Sequence, residues 1–279
     1  MLTRIIIATA LTGLMGCAAK PAAPAAPAAP AEGEAATPAP EPMVAEPVTL
    51  IIPTEDESVG DVMVTPVYHG TVRLEHDGLV VWIDPWSKAN MEGAAKADYV
   101  VITDVHFDHL DVAAIDTVAQ ESTVFLGPQA VADDEKMADR EVEVVTYDAS
   151  VTHGPFTIEA VPMYNLVRGP EEGGVFHDKG RGNGYVFTVG GTRLYFAGDT
   201  ECTEEMKALT GIDHAFIPMN LPYTMPPEEA AECVKAFAPA KVTPIHYAGS
   251  DLSEFSAALA GVDGVSVVQV DAYPGGLPW

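Results

Sequence analysis

Basic residues are scarce in this chain of 279 residues, which has 14 lysines and arginines against 41 aspartates and glutamates. The formal net charge at pH 7 is −27. Nucleic acid is not expected as a partner, because a phosphate backbone is bound by a basic surface. The same acidity disfavours contact between the folded protein and an anionic membrane. The expected partner is therefore a small-molecule substrate, which could be anionic if the few basic residues gather at its site.

Long apolar runs are also lacking, since the apolar stretch at residues 5–14 is too short to span a bilayer. It follows Arg4 and leads into Leu14-Met15-Gly16-Cys17, which is typical of a bacterial lipoprotein signal cleaved before the cysteine. An ordinary secretory signal is the alternative. We predict that residues 1–17 are a lipoprotein signal peptide and that Cys17 carries lipid, palmitate included. The protein would then be anchored in the bacterial cell envelope through this lipid only, at the outer membrane or facing the periplasm.

Cysteine is rare, with three residues in the whole chain, and Cys202 and Cys233 are the two that follow the signal. Cys202 begins one predicted helix, and Cys233 lies about six residues into the next. If these helices run parallel from the same rim, the axial offset is about 9 Å at 1.5 Å per residue. That offset exceeds the usual reach of a disulfide. We therefore predict two buried free thiols.

The chain divides into a tether and one domain. Residues 18–47 are almost entirely Ala, Pro and Glu without an apolar period, which predicts a disordered tether. Residues 48–279 are long enough for one domain with its own core. Strand-like runs followed by alternating strand and helix patterns predict α/β or α+β layers around a mixed sheet. The strand-like runs are 62–67, 79–83, 99–102, 123–126, 142–146, 157–161, 184–189, 193–197, 214–218, 241–245 and 265–270, and the helical patterns are 111–119, 203–209, 227–237 and 252–259.

Residues 103–109 carry the densest group of potential metal ligands. They read Thr-Asp-Val-His-Phe-Asp-His and directly follow an apolar run at 97–102. Strand ends at the rim of a sheet are where α/β proteins place functional groups. The alternative is a loop in which an aspartate caps the helix that begins near residue 111. The close spacing of potential ligands favours a metal site, because imidazoles and carboxylates are common metal ligands. Two of each lie within six residues, at Asp104, His106, Asp108 and His109.

This loop resembles the His-x-His-x-Asp-His loop of the metallo-β-lactamase superfamily, with Asp104 in place of the first histidine. The resemblance extends over roughly residues 60–270. Three later segments resemble further ligand motifs: Phe176-His177-Asp178-Lys179-Gly180, Tyr195-Phe196-Ala197-Gly198-Asp199-Thr200 and Pro244-Ile245-His246-Tyr247. Residues 68–71 and 80–86 resemble the opening strands of the branch that includes ascorbate-6-phosphate lactonase and N-acylphosphatidylethanolamine phospholipase D. The resemblance implies a four-layer αββα sandwich.

The resemblance also implies two divalent metal ions, most readily Zn²⁺, with Mn²⁺ or Fe²⁺ as alternatives. Asp199 would bridge two ligand groups, which are Asp104, His106 and His177 at the first site and Asp108, His109 and His246 at the second. The charges of two divalent cations, three carboxylates and one hydroxide sum to a net charge of zero. With histidine at position 104 the net charge of the site would be one unit more positive. We therefore expect weaker attraction of an anionic substrate and less acidified water than in the usual site.

The function implied by the resemblance is a metal-dependent hydrolase that attacks an ester, lactone or phosphodiester with a metal-bound hydroxide. Asp108 or a nearby tyrosine would handle the proton. Asp84 ends a strand and is expected to orient the metal loop. His69 could support a ligand, face the substrate or be a core histidine. The alternative function is a non-catalytic binding protein with a degenerate metal site, for which Asp104 would be the sign.

Substrate-binding candidates lie around His177. Arg168, Lys179 and Arg181 could present cations to a phosphate or carboxylate. Equally, they could pair with the acidic residues near them in sequence, which are Glu171, Glu172 and Asp178. Further pocket candidates are Tyr164, Asn165, Asn220 and Tyr223, although Asn220 could instead cap the turn that follows it.

Overall fold

The computed structural model of the protein describes residues 57–147 and 149–278. The predicted signal peptide with Cys17, the predicted tether and residues 48–56 of the predicted domain lie outside the described residues. Within the described part, no helix has both the length and the apolar character needed to cross a membrane.

Two seven-stranded sheets form the centre of the described part. The first contains β1 (Glu57–Val59), β2 (Val62–Tyr68), β3 (Thr71–His76), β4 (Leu79–Ile83), β5 (Tyr99–Val101), β6 (Val124–Gly127) and β7 (Val142–Val144). The second contains β8 (Ser150–His153), β9 (Phe156–Met163), β10 (Gly182–Val189), β11 (Thr192–Phe196), β12 (His214–Pro218), β13 (Lys241–Ile245) and β14 (Ser266–Val267). The helices are α1 (Val112–Val118), α2 (Gln129–Ala132), α3 (Glu204–Lys207), α4 (Pro227–Phe237) and α5 (Leu252–Leu259), with one 3₁₀ turn at Glu135–Met137.

The two sheets share one connection pattern. In each, the first four strands form antiparallel neighbours and the last four form parallel neighbours, in chain order across the sheet. The parallel strands are joined through helices or longer loops, as a parallel pairing requires. Their carboxyl ends therefore lie at one edge of each sheet, where loops can carry functional side chains.

Three apolar cores separate four layers. One core lies between the sheets and includes Phe187, Phe196 and Phe216, of which the last two stack with ring centroids 4.7 Å apart. A second core contains buried residues of α1, such as Ile115, on the outer face of the first sheet. A third contains buried residues of α4, such as Val234, on the outer face of the second. The predicted αββα arrangement is confirmed.

Most predicted elements lie where the pattern indicates, and the differences are local. The strand β3 (Thr71–His76) was not predicted. Its buried valine and buried leucine alternate with charged residues, but the stretch is too short for the alternation to stand out. The helix at 203–209 is reduced to α3, since Thr203 is its N-cap and accepts a hydrogen bond from Met206 N. The cap of α1 is Asp111, so neither aspartate of the metal loop caps that helix.

The prediction of free thiols is wrong. Cys202 and Cys233 form a disulfide, with their Cα atoms 5.5 Å apart. The predicted separation of about 9 Å assumed that both cysteines lie on parallel helices. Cys202 instead precedes the cap of α3, in a non-helical segment, and this segment brings it beside Cys233 on α4.

Candidate metal centre

The predicted ligands meet at one edge of the two sheets. The loop from Asp104 to His109 follows β5, Asp199 follows β11, and His246 follows β13. His177 precedes β10, which is antiparallel to β11, so the beginning of β10 lies beside the end of β11. Chain segments separated by up to about 140 positions are thereby brought to one place, as the rim position of each motif predicts.

Backbone turns at this edge aim the side chains inward. His69, Asp84 and His246 have φ angles of 56°, 45° and 44°, a left-handed conformation that residues with a Cβ rarely adopt. Hydrogen bonds hold two of these turns, since His246 N donates to His69 O at 2.9 Å and Asp84 N donates to Val101 O at 3.0 Å. Such strain is tolerated where surrounding contacts fix it, and here it accompanies functional side chains.

The first group of potential ligands is Asp104, His106 and His177. Asp104 Oδ2 lies 2.9 Å from His106 Nδ1 and 3.9 Å from His177 Nε2. Asp104 and His177 are buried, whereas the side chain of His106 is 41% exposed. The group therefore has one side open to a substrate.

The second predicted group is Asp108, His109 and His246. Its members fall into two overlapping clusters of potential ligands, one of His69, Asp108 and His246 and one of His109, Asp199 and His246. Asp108 Oδ2 lies 3.2 Å from His246 Nε2, 3.9 Å from His109 Nε2 and 3.1 Å from His69 Nε2. The role of His69 left open by the sequence is thus resolved in part, because its ring contacts the carboxylate of a predicted ligand. The other ring nitrogen of His69 lies 2.8 Å from the hydroxyl of Tyr273, which no sequence pattern indicated.

Asp199 lies between the two groups. Its Oδ2 is 3.4 Å from His177 Nε2 and 3.4 Å from His109 Nε2, and its Oδ1 is 3.3 Å from His246 Nε2. One carboxylate therefore faces a histidine of the first group and two histidines of the second, the arrangement expected of a bridging ligand.

Four buried polar atoms of the site have no hydrogen-bond partner among the described residues: His109 Nε2, His177 Nε2, Asp199 Oδ1 and His246 Nδ1. The other ring nitrogen of His109 and that of His177 are each held by a hydrogen bond. His109 Nδ1 donates to Asp84 Oδ2 at 2.7 Å, and His177 Nδ1 donates to Asn165 Oδ1 at 2.7 Å. Buried polar atoms without partners are costly, and histidines oriented in this way are typical of metal ligands. The residues present therefore fit a metal.

The carboxylates of the site are ionised at neutral pH. Burial acts to raise the pKa of Asp104, but hydrogen bonding by His106 and the charge of His109 outweigh it and lower the pKa to about 2. The pKa values of Asp108 and Asp199 are also lowered, because the neighbouring histidines outweigh the effect of burial. Burial raises the pKa of Asp84, against the opposing effect of His109. All three predicted carboxylate ligands can therefore act as anionic oxygen ligands.

The predicted substrate cations are engaged elsewhere. Arg168 pairs with Glu201 at 3.2 Å and with Glu229 at 2.7 Å, and Lys179 pairs with Glu205 at 2.5 Å. Both cations therefore form ion pairs, as the alternative interpretation predicted. The partners are distant in sequence and are not the predicted Glu171, Glu172 and Asp178. Neither Arg168 nor Lys179 lines the cavity described below, and their assignment to substrate binding stays a prediction.

Tyr164 and Asn165, two more predicted substrate-binding residues, make hydrogen bonds within the protein. The hydroxyl of Tyr164 donates to Glu205 at 3.0 Å, and the amide of Asn165 donates to Glu201 at 3.1 Å while its oxygen holds His177. These side chains brace the segment that carries His177, so they support a ligand instead of lining the pocket.

A cavity of about 410 Å³ opens directly onto the ligand groups. Asn220 and Tyr223 line it as predicted, together with Phe107 and Phe176. Phe176 and Tyr223 pack edge to face with ring centroids 5.1 Å apart, and Phe107 is 68% exposed at the mouth. Sequence reasoning missed both phenylalanines, although Phe107 stands between two ligands of the motif. Three aromatic side chains, Phe107, Phe176 and Tyr223, therefore form a wall of this cavity beside the ligands.

Comparison with known proteins agrees with this geometry. A family model described as a beta-lactamase superfamily domain matches residues 63–246. The chain belongs to the metallo-β-lactamase superfamily. The matched range contains all seven predicted metal ligands of this superfamily member.

Individual relatives indicate a family within this superfamily. A UPF0173 metal-dependent hydrolase from Thermococcus kodakarensis is 30% identical over 176 residues, covering 60% of this chain and 76% of the relative. Another from Symbiobacterium thermophilum is 33% identical over 180 residues, covering 59% and 75%. A crystal structure described as that of a metal-dependent hydrolase from Parabacteroides distasonis is 33% identical, with a TM-score of 0.72 and coverage of 79% of this chain and 99% of that one.

This metallo-β-lactamase superfamily member is therefore a metal-dependent hydrolase of the UPF0173 family. The narrower resemblance to ascorbate-6-phosphate lactonase and N-acylphosphatidylethanolamine phospholipase D stays a prediction. The alternative of a non-catalytic binding protein is not favoured, because the relatives are hydrolases and the ligand groups are complete.

Proposed function

We propose that the protein hydrolyses a neutral ester or lactone that carries an apolar group, and that it does so with two divalent metal ions. The observation that carries this proposal is the cavity, which joins two His/Asp groups to an aromatic wall. Ligand pockets of this kind use apolar side chains for binding and a few polar groups for orientation. The wall here is formed by Phe107, Phe176 and Tyr223.

The first metal would be held by Asp104, His106 and His177, and the second by Asp108, His109 and His246, with Asp199 shared. Mixed nitrogen and oxygen ligands suit zinc best, and the carboxylate share leaves room for manganese or iron. When bound, the metals would supply Lewis-acid activation of water and charge stabilisation for the developing oxyanion.

The chain itself supplies positioning and proton handling. Asp84 and Asn165 fix the orientation of His109 and His177 from behind. Asp108 lines the cavity, and its side chain is the most exposed of the three predicted carboxylate ligands, at 13% compared with 0% for Asp104 and 5% for Asp199. It is therefore placed to accept a proton from the attacking water and to return it to the leaving group.

A neutral substrate is preferred over an anionic one because the cations near the site are neutralised. Arg168, Lys179 and Arg181 each pair with at least one carboxylate. The net charge of −27 adds a long-range repulsion for anions. A phosphodiester is therefore the less favoured substrate, although the sequence motif alone treated it as equal to an ester or lactone.

Substrate preference tests this proposal. With the metal-loaded protein, we expect kcat/KM for aryl or long-chain acyl esters and lactones to exceed that for phosphodiesters of matched apolar groups by about tenfold or more. Phe107→Ala and Tyr223→Ala should each raise KM for a long-chain ester by about tenfold, roughly 1.4 kcal/mol of lost contact, with a smaller effect on a short-chain ester. Met63→Ala, a change at an exposed apolar residue of β2, is the control. Equal or higher activity on phosphodiesters would contradict the neutral substrate.

We further propose that the protein is held in the cell envelope by lipid on Cys17. The apolar stretch and the cysteine at the cleavage point support this location. Cys17→Ser is expected to move the protein out of the membrane fraction and abolish incorporation of labelled fatty acid, while metal binding is unchanged. Fatty-acid labelling of equal strength in the variant would contradict the anchor.

A further inference from the structure

We propose that Asp104 and Arg181 act as a unit in place of the usual histidine, and that Arg181 is a positioning residue that sets the metal affinity of the first site. The inference rests on the proposed metal centre and concerns the one position where the ligand motif departs from the superfamily pattern. It begins from a contact that the sequence did not indicate, between residues 77 positions apart.

Arg181 binds Asp104 through two parallel hydrogen bonds. Its Nε donates to Oδ1 at 3.0 Å, and its Nη2 donates to Oδ2 at 2.9 Å. The carboxylate is fully buried, and the arginine side chain is 24% exposed. Two-point pairing of guanidinium with carboxylate fixes the plane of the carboxylate as well as its charge.

The backbone next to Arg181 lies close to the backbone that precedes Asp104. Asn183 N donates to Thr103 O at 2.9 Å, so the start of β10 lies directly against the residue before Asp104. A Cβ on Gly182 would lie 2.9 Å from Thr103 O, closer than side-chain carbons approach a backbone oxygen. The glycine therefore allows the close approach that brings Arg181 within reach of Asp104.

Pairing with Arg181 leaves Asp104 positioned as a metal ligand. Ligand atoms about 2.0–2.2 Å from a tetrahedral metal lie about 3.4 Å from one another. Asp104 Oδ2 lies 2.9 Å from His106 Nδ1 and 3.9 Å from His177 Nε2, on either side of that value. A carboxylate oxygen has more than one acceptor direction, so Oδ2 can receive an N–H from the arginine and still face a metal.

The charge of the unit equals that of a neutral imidazole. Asp104, Asp108 and Asp199 give the ligand set a charge of −3, and Arg181 brings it to −2. A set with histidine at position 104 and two remaining aspartates also has −2. The expectation of weaker anion attraction, which counted Asp104 alone, is therefore revised, because the compensating charge comes from a residue outside the motif.

A double-mutant cycle tests whether Asp104 and Arg181 act together. The proteins compared are the parent, Arg181→Ala, Asp104→His and the double variant, with Arg181→Lys as the conservative change. The affinity for Zn²⁺ and Mn²⁺ is measured by competition with a chromophoric chelator, alongside thermal unfolding of the metal-free proteins. Arg193→Ala is the matched control, since Arg193 pairs with Glu159 on the strands of the second sheet.

Arg181→Ala is expected to tighten first-site affinity by about tenfold or more, because the uncompensated carboxylate attracts a dication more strongly. The same variant should melt at a lower temperature without metal. Asp104→His should weaken affinity by about tenfold or more, since the guanidinium then repels the metal. The double variant should return to within about threefold of the parent, and Arg181→Lys should lie between the parent and Arg181→Ala.

The outcomes separate this inference from the proposed function. If the parent binds two metals and Arg181→Ala lowers stability without tightening affinity, the contact is an ordinary structural ion pair and the inference is wrong. A double variant that binds metal as weakly as Asp104→His would also overturn it, because the guanidinium would then not be the cause of the weakened affinity. A parent that takes up no metal would contradict the proposed metal centre itself and this inference with it.

Discussion

Asp199→Asn is expected to remove both metals and to lower kcat/KM by on the order of 10³-fold or more. Asp199 is the only carboxylate among the described residues that lies within 3.5 Å of histidines from both ligand groups. Asparagine keeps the size of the side chain but removes its negative charge. Without that charge the histidines of both groups lose the anion that completes their sites.

Elemental analysis and the unfolding temperature, with and without added metal, check this prediction. Metal-dependent stabilisation should disappear in Asp199→Asn, because a metal that binds only the folded state stabilises it by an amount that rises with the logarithm of its affinity. Asp178→Asn is the matched control, since Asp178 is an exposed aspartate of the loop that carries His177. Retention of two metals and near-parent turnover by Asp199→Asn would show that this carboxylate does not bridge the sites.

Asp108→Asn is expected to lower kcat by about 10²- to 10⁴-fold, with little change in KM for an apolar ester. Asp108 Oδ2 faces His246 and His69, and its side chain borders the cavity. Asparagine retains one oxygen towards the second site but cannot accept a proton at neutral pH. Because substrate binding depends mainly on the aromatic wall, the loss should appear in the chemical step.

The distinction between the two aspartates is measurable. Asp108→Asn should keep the metal of the first group, whereas Asp199→Asn should lose it. The steady-state constants are measured at saturating metal, so that weaker metal binding at the second site does not mask the effect. Turnover within about threefold of the parent under these conditions would exclude Asp108 as the proton carrier.

The metal ligands were predictable because their signal is local. Asp104, His106, Asp108 and His109 lie within six residues after an apolar run, and a strand end directs such a loop to the rim of a sheet. His177, Asp199 and His246 each adjoin a strand in the same way, so the fold class and the rim could be inferred together. The local pattern thus indicates mixed layers and a metal site at the rim, whereas the αββα arrangement and the full ligand set were implied by the resemblance to the metallo-β-lactamase superfamily.

Contacts between distant segments were not predictable from local pattern. The partner of Arg181 lies 77 positions away, and the partners of Arg168 lie 33 and 61 positions away. The sequence around a charged residue does not indicate which distant residue it pairs with. Acidic residues nearby in sequence were therefore considered as its ion-pair partners instead. The disulfide was missed for a related reason, since the path of the segment before α3 depends on tertiary packing.

The number of metal ions per chain tests most directly whether the site is a two-metal centre in which Asp199 is shared. The protein is loaded with zinc or manganese, freed of excess metal and measured by elemental mass spectrometry. We expect two ions per chain in the parent and about one in Asp104→Ala and in His177→Ala, with turnover reduced in both. One ion per chain in the parent, unchanged in these variants and accompanied by unchanged turnover, would contradict it.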